Sequence, residues 1–280
     1  MKQGILVRYM VTGMLIVTSW MITSCNSFNE HLPECRLFVK FKYDYNMLFT
    51  DAFHTQVDKV ELYVFDKEGL FLFKQMEEGD ALSTGNYRME VELSVGEYQF
   101  MAWAGAHGEI HNIAFTGTDN QVETINLIKD TNKVRFIFQG YSDDSWKLNV
   151  EDYDYEIIES NGHLGHDNSL LDDDVLSFRP YHMEQRNPSA AAVELNTMRL
   201  MSDRQTRFVV TEKNTRKKVF NINLIDYLAM TDMEGNNWGV QEYLDRQDEY
   251  KIVFFFSEPW HAVQININGW THYIQPEEEM

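Results

Sequence analysis

Leu37-Phe38-Val39-Lys40-Phe41-Lys42-Tyr43-Asp44-Tyr45 alternates two kinds of side chain along its length. Leu37, Val39, Phe41, Tyr43 and Tyr45 share one face. Phe38, Lys40, Lys42 and Asp44 share the other. Successive side chains on a strand point to opposite faces, so this is the pattern of a half-buried strand. The same period returns over 57–65, where Val60, Leu62 and Val64 alternate with Lys59, Glu61 and Tyr63. Asp66-Lys67-Glu68-Gly69 then turns the chain, and 70–73 begins a return strand, which reads as a hairpin. Met89, Val91, Leu93 and Val95 alternate with Glu90, Glu92 and Ser94 until Gly96 breaks the run ahead of Tyr98, Phe100 and Ala102. Segments 122–127 and 133–139 supply further strands.

The second half repeats the style. A strand over 153–159 ends at the Asn161-Gly162 turn, and a polar, acidic loop runs to about residue 174. A short strand follows at 175–178, limited by Pro180. Val193, Leu195 and Thr197 suggest another, although 190–200 also fits a helix. Segments 207–211 and 218–222 pair across a basic turn, and Leu224, Tyr227, Leu228 and Met230 fit a short helix. The strand at 250–256 is strongly apolar. Segment 263–267 leads into Asn268-Gly269, whose residues tolerate the positive φ of a type I′ turn, and 270–274 returns. The expected fold is all-β, two β-sandwiches in tandem with at most one or two short helices. Their boundary is placed at residue 144, giving sandwiches over 35–144 and 145–280. Lys133-Val134-Arg135-Phe136-Ile137 faintly echoes Gln205-Thr206-Arg207-Phe208-Val209, as equivalent strands of related domains or as two ordinary amphipathic strands.

The N-terminus carries a different signal. Lys2 and Arg8 precede an uncharged apolar core from residue 9 to 22, too short for an ordinary spanning helix and suited to a secretory signal. It ends in Ile22-Thr23-Ser24-Cys25, small residues before a cysteine, as in a lipobox. Residues 1–24 therefore read as a lipoprotein signal peptide, Cys25 as the lipid attachment site, and 25–34 as a lipidated tether. Lipid on Cys25 would hold the chain to a membrane, each buried methylene contributing roughly 0.8 kcal/mol. The chain has two cysteines. With Cys25 acylated, Cys35 has no intrachain partner, so the cores must hold without disulfides.

Composition narrows the partners. The chain has 24 basic and 44 acidic residues, a formal charge of -20, and no strong basic patch, which argues against nucleic acid. Phosphate-binding glycine loops, HExxH and GxSxG are missing from the sequence. His163 and His166, with Asp167, could ligate a metal only if their glycine-containing loop closed round it; a polar surface loop is the simpler reading. Asp172-Asp173-Asp174 and the pair Asp143, Asp144 read as solvated acidic turns. Trp238, in Gly235-Asn236-Asn237-Trp238-Gly239, could offer a ring to sugar, but a packing role is favoured; Trp103 and Trp270, beside strong strands, are expected in the core. Asp245, Arg246, Asp248 and Glu249 are expected to form a polar network orienting the loop before the next strand. No catalytic residue, cofactor site or metal site is assigned, and the chain is not expected to be an enzyme.

Two segments carry a family resemblance: Tyr243-Leu244-Asp245-Arg246-Gln247-Asp248-Glu249-Tyr250 with the following KIVFFF, and Ile265-Asn266-Ile267-Asn268-Gly269-Trp270. Phe41-Lys42-Tyr43-Asp44-Tyr45-Asn46-Met47, the hairpin around Asp66 and Gly69, the run through Gly96, Tyr98, Ala102, Trp103, Ala104 and Gly105, and Asn161, Gly162, Thr197, Arg199 and Leu200 agree with it. Together they resemble the fimbrillin-associated anchor subunits of Bacteroidales fimbriae, the minor-fimbrium anchor type. That resemblance implies an outer-membrane lipoprotein with two transthyretin-like β-sandwich domains, seated at the base of a surface fimbrium. It would attach the shaft to the membrane through lipid on Cys25 and help limit fimbrial length. Its partner would be a fimbrial shaft subunit, gripped by a strand-mediated or edge contact, for which the tail from Gln275 to Met280 is a poor donor because of Pro276 and its acidic run. The alternatives are a shaft or tip subunit, for which Arg36 is a single trypsin-like cleavage point, and a surface glycan-binding lipoprotein, which would need aromatics gathered at one exposed site.

Overall fold

The computed structural model describes residues 36–104, 107–108, 111–117, 120–142, 146–165, 167–231 and 237–274. The expected signal peptide, Cys25, the tether, Cys35, Asp143, Asp144, His166 and the 275–280 tail lie outside the described residues.

The first body contains β1 (Leu37–Lys42), β2 (Lys59–Asp66), β3 (Phe71–Glu78), β4 (Arg88–Val91), β5 (Gly96–Trp103), β6 (His107–Gly108), β7 (His111–Phe115) and β8 (Gln121–Ile128). Two single-turn helices, α1 (Phe53–Gln56) and α2 (Asp80–Thr84), interrupt them. The sheet runs β3-β2-β5-β6-β8-β1-β4, with β7 also on β5. β8 lies parallel to β1 over its first part and antiparallel to β6 at its end. One strand thus serves both flanks, and the sheet wraps round its own core. Leu37, Val39 and Phe41 enter that core from β1, Val60, Leu62 and Val64 from β2, and Phe100 and Ala102 from β5. The alternating residues chosen from sequence are the buried ones, each of the larger side chains contributing about 1.5–3 kcal/mol by leaving water.

The second body contains β9 (Thr131–Gly140), β10 (Tyr153–Glu159), β11 (Leu176–Phe178), β12 (His182–Asn187), β13 (Ala190–Met198), β14 (Arg207–Glu212), β15 (Lys218–Asn223), β16 (Glu249–Glu258), β17 (His261–Ile267) and β18 (Trp270–Tyr273). Helices α3 (Leu224–Leu228) and α4 (Val240–Arg246) join β15 to β16. A four-stranded sheet, β11-β10-β14-β15, faces a six-stranded one, β12-β13-β9-β16-β17-β18. Between them lies an aromatic core. Phe136 stacks on Phe208 with ring centroids 3.7 Å apart, Phe138 on Tyr155 at 5.5 Å, and Trp260 meets Phe138 edge-on at 5.6 Å.

The all-β, sandwich-like character stands as expected, but the described residues hold four short α-helices where at most one or two were expected. One placement also differs, and two open readings resolve. Segment 133–139 was assigned to the first sandwich, but β9 pairs with β13 and β16, so the chain changes sheets at the β8–β9 turn, ahead of residue 144. Periodicity marks a strand without naming its partner, and the β9–β16 partnership is parallel and distant in sequence. The 190–200 segment is a strand: β13 is central, and Ala192 joins Ile137 and Val253 in a small apolar cluster on the sheet's other face. A strand covered on both faces loses its alternation and resembles a buried helix in sequence. The echoing segments are not equivalent strands of two bodies. They oppose one another across one core, through the Phe136–Phe208 stack.

Phe208→Ala is expected to remove about 3–5 kcal/mol of stability, read as a lower guanidinium midpoint by tryptophan fluorescence. A loss under about 1 kcal/mol would mean that the two sheets do not depend on this ring.

Candidate functional site

Residues 43–51 form a built loop after β1. Asn46 is buried; its amide donates to the carbonyls of Tyr43 (2.8 Å) and Thr50 (2.9 Å), and its Oδ1 accepts from the Leu48 N–H (2.9 Å). Asp51 accepts from the N–H groups of Tyr43 and Phe53. Held at both ends, the loop carries Phe49 at φ 54°, a left-handed conformation rare for a bulky residue. Such strain costs about 1–3 kcal/mol and persists where neighbours over-determine it. Here they do: the Phe49 ring lies 5.6 Å from that of Trp238, and Met47 packs on the second core.

The same loop meets α4. The Arg246 guanidinium lies 4.1 Å from the Tyr45 ring centroid and 5.0 Å from that of Trp238, and its Nε donates to Glu242 at 3.0 Å. Burial, then Glu242 and Asp245, raise the Tyr45 hydroxyl above its ordinary pKa, so the ring facing Arg246 is neutral. Lys129, at the β8–β9 turn, pairs with Asp248 at 2.5 Å. Behind these contacts Arg199 donates twice to Asp245, at 2.8 and 2.9 Å, and once to the Asn168 carbonyl at 2.9 Å. Burial works against the Arg199 charge, but the hydrogen bonds and charge of Asp245 outweigh it and hold the guanidinium pKa above normal. Of the expected network of Asp245, Arg246, Asp248 and Glu249, the first three are engaged, but each with a different partner, Arg199, Glu242 and Lys129, while Glu249 takes part through its backbone carbonyl; the Arg246 and Asp248 contacts join the two bodies. The helix that carries Asp245 and Arg246 was not anticipated, because its charged residues read as a polar loop.

Arg199 also fastens the 160–174 loop, through the Asn168 carbonyl and through the Asn161 amide on its own carbonyl (3.0 Å). Within that loop Gly162 N–H donates to Asp173 Oδ2 at 3.0 Å, and His163 Nδ1 lies 3.2 Å from the Asp172 carbonyl oxygen. The aspartates thus bond to their own loop. Among the described residues no three His, Cys, Asp or Glu side chains gather as a metal site.

The outward face of β2 and β5 is the other unusual surface. Glu61 pairs in register with Trp103, and Tyr63 with Met101. The Glu61 carboxylate accepts from Tyr63 Oη (2.9 Å) and pairs with Lys59 (3.2 Å) and Lys74 (3.4 Å); the Tyr63 bond, then Lys59, hold its pKa below the usual carboxylate range. Trp103 is 40 % exposed and Trp270 is 37 % exposed, so neither is the core residue expected of it. Each sits at the end of a strand, on the face turned from the core, a placement that the adjacent apolar alternation did not reveal. Trp103 and Ala104 wall a groove of about 390 Å³ with Gln56, Asp58, Lys59 and Glu61. Across the indole lies a second, of about 370 Å³, lined by Met101, Met198 and residues 162–165. Gln56 also borders a third, of about 520 Å³, with residues 46–48, Lys129 and residues 247–249.

The family model for fimbrillin-A associated anchor proteins Mfa1 and Mfa2 matches residues 32–113 and 106–276. The chain belongs to that family. A Bacteroides thetaiotaomicron VPI-5482 structure, described as a candidate polysaccharide-binding protein, is 62% identical with a TM-score of 0.81, covering 87% of this chain and 99% of its own. A candidate adhesin from the same organism is 26% identical, TM-score 0.76, covering 87% and 99%. The fimbrial anchor protein Mfa2 from Porphyromonas gingivalis shares the fold, with TM-score 0.64 at 16% identity, covering 85% and 98%. A search of curated protein sequences gave no significant match. The family match and the 62% identical relative place the chain among the fimbrillin-related adhesins, a superfamily of Bacteroidales surface proteins. No helix among its described residues is long and apolar enough to cross a membrane.

If the Arg246 stack joins the two bodies, a double-mutant cycle on Tyr45→Ala and Arg246→Ala should give a coupling of about 0.5–2 kcal/mol in thermal or denaturant unfolding. Strictly additive losses would show that the stack contributes nothing.

Proposed function

We propose that this protein is a fimbria-associated surface adhesin that binds polysaccharide. The observation carrying this reading is the 62% identity, over nearly the whole of that relative, to the candidate polysaccharide-binding protein. The exposed Trp103 beside a held carboxylate agrees with it. Native gels cast with a panel of polysaccharides test it: the purified protein is expected to be retarded by at least one of them. Unchanged mobility in all of them would remove this reading.

The second reading, favoured by the family match over residues 32–113 and 106–276, is the anchor at the fimbrium base. In it Cys25 carries lipid after removal of residues 1–24, residues 25–34 form the tether, and the two bodies are transthyretin-like sandwiches. The shaft subunit would add a strand to an exposed edge. β3 is the better edge: it ends the first sheet, and Phe71, Leu72 and Met76 are exposed along it. β12, an edge of the second sheet, carries Glu184 and Arg186, charges of the kind that discourage pairing. Strand addition would combine backbone hydrogen bonds with side-chain pockets. In cells carrying Cys25→Ala, this reading expects long fimbriae in the medium. Fimbriae that stay attached and unchanged in length would exclude it.

A further inference from the structure

We propose that the trough centred on Trp103, on the outward face of β2 and β5, is the binding site for a single uncharged polysaccharide chain. The inference rests on the polysaccharide-binding reading and gives it a place. The indole is a wall common to the grooves of about 390 and 370 Å³, and Gln56 is common to the first of these and the groove of about 520 Å³. Depressions that share walls form one extended path. A small ligand is usually enclosed by one deep pocket, whereas a chain needs a shallow path longer than any one of its units.

The side chains along the path suit a sugar chain. One face of a pyranose is C–H, which packs on an aromatic ring; its rim is hydroxyl, which needs fixed donors and acceptors. Trp103 supplies the ring. Glu61 supplies acceptor oxygens directly across the ladder, already oriented by Tyr63 Oη and by the ammonium groups of Lys59 and Lys74. Lys74 also lies over the Tyr63 ring, 5.5 Å from its centroid, so this polar cluster is braced against an aromatic before any ligand arrives. Asp58 and Gln56 continue the polar rim, both exposed.

Charge selects among occupants. The whole chain carries a formal charge of -20, and its field repels uronic or sulfated polymers. Within the trough Lys59 and Lys74 balance Asp58 and Glu61, which leaves no local cationic site for an acidic sugar. A protein partner is disfavoured for another reason: the centres of protein interfaces are depleted of charged residues, and here a charged cluster sits beside the indole.

The test compares wild type with Trp103→Ala, Trp103→Phe, Glu61→Gln, Gln56→Ala and Trp270→Ala in native gels. The gels contain uncharged α-glucan, β-glucan, mannan or xyloglucan, with polygalacturonate as the acidic control, and thermal melts check folding. The expected result is retardation of wild type by an uncharged polymer, and an affinity at least about tenfold weaker for Trp103→Ala. Partial retention is expected for Trp103→Phe, weakening for Glu61→Gln and Gln56→Ala, and wild-type behaviour for Trp270→Ala. If Trp103→Ala melts early, Glu61→Gln and Gln56→Ala decide the matter. Wild-type binding left intact by the substitutions in the trough overturns this site while the polysaccharide-binding reading stands. Binding to polygalacturonate alone overturns the uncharged specificity. No retardation of wild type by any polymer removes the reading and the site together.

Discussion

The contact between Arg246 and the rings of Tyr45 and Trp238 is the constraint on which the joint between the two bodies depends. Each body closes a core of its own. The covalent link between them is a tight turn after β8, which by itself leaves their orientation free. Arg246 comes from α4 in the second body, and Tyr45 from the loop after β1 in the first. A guanidinium suits the position because it is planar and keeps its charge, so it can lie on aromatic faces while its edge donates to Glu242. Lys129 with Asp248 and Phe49 with Trp238 add a second and third point of attachment. Three points of fixation hold an angle, which one hinge does not.

Behind this stack the electrostatics are conservative. Arg199 and Asp245 are both largely removed from water, and each would be expensive alone. Their double hydrogen bond offsets that cost, and the leftover donor of Arg199 reaches a carbonyl of the 160–174 loop. The loop is therefore tied to the same cluster that positions α4. Since residues 162–165 line one groove beside Trp103, the shape of that surface follows from a buried ion pair on the far side of the loop.

Much of the fold was legible, and the legible parts share a cause. β1, β2 and β10 each bury one face, so period two shows directly in their sequences. β13 was ambiguous because both of its faces are covered. β12 was missed because HMEQRN is an edge with little to bury, and α4 because its residues serve a polar network. The strand β9 was seen, yet assigned to the wrong body, since pairing across long sequence separation leaves no local trace. The surface around Trp103 was obscured in the same way. Alternation beside a tryptophan says that a strand is present; it does not say on which side the ring emerges. That was settled by the register of Glu61 against Trp103, a property of two strands together.

The parallel pairing of β9 with β16 has a consequence for how the molecule comes into being. β9 lies in the middle of its sheet, and one of its neighbours belongs to the last strands of the chain. Until β16 is available, β9 presents an open ladder and Phe136 and Phe138 lack part of their cover. The first body has no such dependence, because its strands all precede residue 130. Assembly is then ordered by topology: the early body closes once β8 reaches β1, and the late one waits for β16, with loop-closure entropy slowing both. The second half therefore stays unlocked until β16 has been made.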